Sequence, residues 1–235
     1  MTMECGTEKS KREEPHYRGH RQRLKSRFLK DPEGLADYEL LELLLTYSIP
    51  RRDVKPYAKE LIKKFGSIER VMNAGCDELA EVSGIGMNTG VLFMLFREIS
   101  ARSLFEGILE RDIMKTPDAV IDFVRRKIGF CEDEMFMLLY LNAKNHLSGY
   151  EILSEGTADR AVIYPRTVVR QVLKHNATGV IAVHNHPSGE CEPSANDLSI
   201  TKVLQEVLMP LEVRVVDHII ISSSDSFSFK SEGLL

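Results

Sequence analysis

Leucines at helical intervals dominate the front of the chain. From Leu35 to Tyr47 the apolar positions predict a leucine-rich amphipathic helix, and Val54 to Phe65 predicts another that ends at Gly66. Ser67-Ile-Glu-Arg-Val-Met72 starts a shorter helix. Ahead of these, His20 to Phe28 reads as a short basic helix and Asp31-Pro-Glu-Gly34 as a turn. Behind them, the stretch from Leu79 to Gly86 carries two glycines, Gly84 and Gly86, that permit a tight hairpin before an apolar helix from Thr89 to Ile99. This is the pattern of a small all-helical bundle.

The pattern changes in the second half. Residues 103–115 read as a passage between domains, and Thr116-Pro-Asp118 begins a helix running to about Lys127, with threonine as cap and proline in the first turn. Met135 to Leu141 and Tyr150 to Ser154 are predicted strands of a hairpin, Arg166 to His175 a helix, Gly179 to His184 a buried strand, Ala195 to Met209 an amphipathic helix and Glu212 to Ser222 a later strand. Helices and strands mix without a regular βαβ order, so the expected class is α+β, with a helical domain over residues 1–104 and a mixed domain over residues 113–235.

Composition narrows the setting. A chain of 235 residues with 43% hydrophobic residues can bury a core in two modest domains. Its four cysteines are scattered and lack CxxC spacing, which indicates neither a disulfide framework nor a cysteine zinc knuckle and fits a reducing compartment. No apolar run is long enough to span a bilayer, and the polar start MTMECGTEKSKREE lacks a signal-peptide core, so a soluble cytoplasmic protein without a membrane partner is expected. Charge is uneven: residues 1–30 hold nine Lys or Arg against four Glu, a balance of +5, so the remainder carries −9 of the total −4.

The chemistry concentrates in His-Asn-His-Pro-Ser-Gly-Glu-Cys-Glu-Pro-Ser-Ala-Asn-Asp, residues 184–197. His184 and His186 fall two apart at the end of the strand, so their imidazoles share one face, while Asp197 sits on the first turn of the following helix. Two neutral imidazoles and a carboxylate suit zinc, and three protein ligands leave a fourth position open, as catalytic zinc sites do. Ser194-x-x-Asp197 is equally close to a helix capping box, which needs no metal.

The complete pattern of His, any residue, His, Pro, six residues, Ser, two residues, Asp resembles the signature of JAMM (MPN-type) metalloproteases without a mismatch. With Tyr164-Pro-Arg166 upstream and Val216-Asp-His-Ile-Ile220 downstream, nearly the whole chain is similar to the bacterial RadC family. The resemblance implies a carboxy-terminal JAMM/MPN domain, a cytidine-deaminase-like α/β sandwich, behind an amino-terminal helix-hairpin-helix-like region. It implies that His184, His186 and Asp197 bind Zn2+, that Ser194 stabilises an oxyanion, and that a glutamate upstream of the histidines acts as general acid and base. The candidates are Glu151 and Glu155 in Gly149-Tyr-Glu-Ile-Leu-Ser-Glu-Gly156. Strand parity puts both on one face, and Glu155, beside the turn glycine, ranks second. His218 reads either as a group behind the metal ligands or as a core histidine, and Cys191 as a loop residue with the chemistry to ligate zinc.

Three functions compete. Hydrolysis of an amide bond in a protein or peptide substrate by zinc-activated water leads. A DNA-binding repair or recombination factor, or a nuclease, needs the glycine hairpin and Arg18, Arg21, Arg23, Lys25 and Arg27 to meet phosphates. The hairpin resembles a helix-hairpin-helix motif but departs from strong DNA-binding examples, because Met87-Asn88-Thr89 offers no Lys or Arg. The third is a metal-binding scaffold without turnover.

Overall fold

The computed structural model describes residues 16–155 and 164–235. The polar leader, including Cys5, and the turn expected at Gly156 lie outside the described residues. By its internal contacts the chain divides between Phe96 and Arg97.

The first unit is helical, as its leucine spacing predicts. It contains α1 (His16–Lys30), α2 (Asp37–Ser48), α3 (Lys55–Phe65), α4 (Ile68–Asn73), α5 (Cys76–Ala80) and the start of α6 (Met87–Ile108). Leu41, Leu45, Leu61, Val71, Leu79 and Phe93 converge in one core, each worth about 1.5–3 kcal/mol of burial. Gly66 ends α3 in the left-handed conformation, and Ser67 caps α4 by accepting the Arg70 amide at 3.2 Å. Between α5 and α6 the turn hangs on Gly84, at φ +90°, where an added Cβ would meet the Tyr57 ring 2.6 Å away. Gly84→Ala is therefore expected to destabilise this unit by at least about 1–3 kcal/mol, from the left-handed backbone alone, read as a lower thermal midpoint. An unchanged midpoint would contradict this geometry.

Residues 103–108, expected to belong to a linker, instead continue α6. Their side chains Leu104, Phe105 and Ile108 pack into the second unit's core, which supplies the stabilisation that holds the helix. After the 3-10 turn Ile113–Lys115 come α7 (Pro117–Ile128), β1 (Met135–Leu141), β2 (Leu147–Glu155), α8 (Pro165–Lys174), β3 (Gly179–Asn185), α9 (Ala195–Leu208), β4 (Arg214–Ile221) and the short β5 (Ser226–Ser228). Thr116 precedes α7 but makes no side-chain cap; its hydroxyl donates to the Asp112 carbonyl.

The five strands form one mixed sheet in the order β2-β1-β3-β4-β5. Only β3 and β4 run parallel, joined through α9; the other pairs are antiparallel. One face carries α7, with Phe123, Val124 and Ile128 against Met137, Leu139, Ile181 and Val183. The other carries α8 and α9, with Val168, Val172, Leu204 and Leu208 against Phe136, Leu138, Val180 and Ala182. The result is a helix–sheet–helix sandwich in which β3 is buried throughout. Among the described residues no helix is long and apolar enough to cross a membrane.

Candidate metal centre

The site forms at the carboxyl end of β3, beside the first turn of α9, the helix that joins β3 to its parallel neighbour β4. Alternation along β3 turns His184 toward the face that holds α8 and α9, and Asn185 toward the α7 face. His186 follows the strand, its amide donating to the Ile221 carbonyl at 2.9 Å. Pro187, Ser188 and Gly189, the last at φ +92°, then turn the chain back toward α9.

Ser194 caps α9: its hydroxyl oxygen accepts the Asp197 amide at 3.2 Å, while its amide and hydroxyl both donate to Asp197 Oδ2 at 2.7 Å. The capping box is thus present, and it aims the carboxylate. Asp197 Oδ1 stands 3.2 Å from His184 Nε2, its Oδ2 3.6 Å from His186 Nε2, and the two Nε2 atoms are 3.0 Å apart. Donors arranged tetrahedrally at zinc distances of about 2.0–2.1 Å stand roughly 3.3 Å from one another. His184 and Asp197 are buried and His186 half-buried.

The hydrogen bonds behind the rings decide what the inward atoms are. Thr201 spends its hydroxyl proton on the Asp197 carbonyl at 2.6 Å, so it accepts from His218 Nδ1, also at 2.6 Å. His218 is fully buried between Phe136 and Phe229, and burial first, then the neighbouring His184, pushes it down to about 3; it is neutral. Its Nε2 therefore accepts from His184 Nδ1 at 2.8 Å. His186 Nδ1 donates to the Glu190 carbonyl at 2.7 Å. With both Nδ1 atoms committed as donors, each neutral ring presents a lone pair at Nε2, and two lone pairs and a carboxylate oxygen converge on one point. That arrangement calls for a cation, and these three residues can hold a metal ion, their ligand atoms all lying within 4.8 Å of one another.

Without metal, a proton does part of this work. The hydrogen bond with Asp197 raises His186 against the opposing effect of burial. Burial alone would raise the Asp197 carboxyl, but hydrogen bonds from His184 and His186 outweigh it and hold Asp197 well below the usual carboxylate range. A raised histidine stabilises the fold below its unfolded pKa and loses that contribution as pH rises through its folded pKa. A lowered carboxyl contributes above its unfolded pKa and fails only in strong acid. The pair therefore supports the metal-free fold best between about pH 4 and 6.5. Metal needs the neutral ring, so uptake near pH 6.5 is expected to expel a proton, and affinity to rise with pH until His186 is neutral without it. Calorimetry in buffers of different ionisation enthalpy reads this directly; uptake without proton release at pH 6.5 would contradict it.

The other expected site residues fall elsewhere. Glu151 is not brought to the trio: its carboxylate accepts from Lys174 at 2.5 Å and lies 3.2 Å from His175, on the sheet's edge strand. Glu151 pairs with Leu138 and so stays on the α8/α9 face, but strand parity does not run on past Leu153, because Met137 pairs with Ile152 while Phe136 pairs with Ser154, leaving Leu153 as an extra residue in a bulge. The side chain of Glu155 lies outside the described residues. Cys191 packs on Ile220 and Phe229, where burial raises its thiol, and it is not part of the converging group. His218 does stand behind a ligand, as one of its two readings holds.

A carboxylate overlooked in the sequence lies closer. Phe136 pairs with His184 at the last rung of the antiparallel β1–β3 ladder, and Glu134 stands two residues before Phe136 as His186 stands two after His184. Glu134 is half-buried, and its negative charge helps raise His186. The usable signal was its place at the start of an apolar strand, two residues before Phe136.

Among the basic residues considered for phosphate contacts, Arg21 donates to the carbonyls of Ile49 and Arg52, Arg27 grips Glu39 through two hydrogen bonds, and Lys25 lies over the Tyr47 ring. The side chain of Arg18 lies outside the described residues.

Residues 114–234 match the sequence model of a family described as "RadC-like JAB domain". The chain is also 37% identical over 225 residues to UPF0758 protein FN0909 of Fusobacterium nucleatum, an alignment covering 92% of this chain and 97% of that protein.

Proposed function

The chain belongs to the RadC family, and from that premise we propose that it is a zinc-dependent hydrolase that cleaves an amide bond in a peptide or isopeptide. The observation that carries the reading is the convergence of His184 Nε2, His186 Nε2 and an Asp197 carboxylate oxygen in one buried group. Bound by those three side chains, zinc would supply a Lewis acid that acidifies water and polarises a carbonyl.

The remaining chemistry falls to the chain itself. Glu134, rather than Glu151, is assigned the proton transfers: its carboxylate takes a proton from the attacking water as the new C–O bond forms and returns it to the amide nitrogen as the C–N bond breaks. The register of β1 against β3 supports this choice, as does the engagement of Glu151 by Lys174 and His175. Ser194 first orients Asp197; turned from that carboxylate, its hydroxyl would donate to the oxyanion of the attacked carbonyl.

The test is a panel of fluorogenic peptide and isopeptide substrates offered to the zinc-loaded protein and to a Glu134→Gln variant. A loss of about 10²–10⁴-fold in kcat, measured with both proteins saturated with zinc, is expected of a lost general acid–base. A zinc-loaded protein that cleaves nothing in the panel, or a variant as active as the parent, would contradict the reading.

A further inference from the structure

The β1–β3 ladder stops at Phe136–His184, so the segment from Cys131 to Met135, which leads from α7 into β1, has no further main-chain pairing with β3. One side chain takes over that role. Asn185 is fully buried, and its Oδ1 accepts the Met135 amide at 2.7 Å while its Nδ2 donates to the carbonyls of Cys131 and Asp133, both at 3.1 Å. The two donors and the acceptor of the carboxamide are thus all spent on the five residues Cys131–Met135, with Glu134 among them. Because strand alternation turns Asn185 to the α7 face, this clamp works from the side of the sheet opposite His184.

We infer that Asn185 is a positioning residue: its buried carboxamide fixes the Cys131–Met135 segment so that Glu134 faces His186 across the metal site. The inference rests on the hydrolase reading, in which Glu134 handles the proton. It explains why an amide belongs between the two histidines. A carboxylate there would press against two carbonyls, and an apolar residue would take the clamp away from the Met135 amide and the Asp133 carbonyl.

A double-mutant cycle on zinc affinity, measured by chelator competition with the full chain, tests it without needing a substrate. Glu134→Gln removes one negative charge beside the cation and is expected to weaken zinc binding about tenfold. Asn185→Ala, by releasing the segment, should produce a similar loss, and the double variant no more than either alone. Hydrogen exchange should show the Met135 amide losing protection in Asn185→Ala. If that variant fails to fold, Asn185→Asp serves, since it keeps the acceptor for Met135 and loses both donors. Additive losses would mean that Asn185 acts on the ligands and not through Glu134, which overturns the inference while leaving the hydrolase reading intact. Unaltered affinity in Glu134→Gln would remove Glu134 from the site, and both readings would fall together.

Discussion

Asp197→Asn is expected to abolish zinc binding while leaving a folded protein. The carboxylate is the only anionic member of the converging group, and it neutralises charge where His184 and His186 can supply only lone pairs. Asparagine keeps a side-chain oxygen able to accept from the Ser194 amide and hydroxyl, so the start of α9 stays capped. Loss of a direct ligand should exceed the roughly 10–100-fold typical of outer partners. Asp197→Ala should lose zinc as well and in addition lower stability by about 1–3 kcal/mol, because the Ser194 amide and hydroxyl lose their charged acceptor. Zinc competition and thermal unfolding separate the two effects. An Asp197→Asn protein that binds zinc like the parent would contradict the site.

His218→Phe is expected to weaken zinc binding about 10–100-fold although His218 touches no metal. Phenylalanine keeps the aromatic packing between Phe136 and Phe229 but removes the acceptor for His184 Nδ1–H, which is then left buried without a partner. That orphaned donor costs about 1–3 kcal/mol in its present orientation. The ring is free to turn or change tautomer, and its Nε2 lone pair is no longer fixed toward the site. Thr201→Val should act in the same direction and less strongly, because His218 remains but loses the group that sets its tautomer. Equal zinc affinity in His218→Phe and the parent would show that the chain of hydrogen bonds from the Asp197 carbonyl to His184 does not set the ligand.

What could be read from the sequence divides by range. His184, His186 and Asp197 were legible because strand alternation and helix capping act over a few residues, and both rules held at the end of β3 and the start of α9. The helices of the first unit were legible from leucine spacing and Gly66 for the same reason. Glu134 was not, because its nearness to His186 depends on β1 lying beside β3, a pairing between segments almost fifty residues apart. The engagement of Glu151 by Lys174 and His175 was not legible either, because it depends on contacts between β2 and the end of α8. The extension of α6 through Ile108 escaped notice because tertiary burial of Leu104 and Phe105, and no local stop or start signal, decides it.

Zinc content per chain tests the central claim most directly. After incubation with zinc and exhaustive dialysis, elemental analysis of the folded parent should give about one zinc per chain, and folded His184→Ala, His186→Ala and Asp197→Asn proteins should give almost none. A folded parent that retains no zinc, or variants that retain as much as the parent, would contradict a metal centre built from these three side chains.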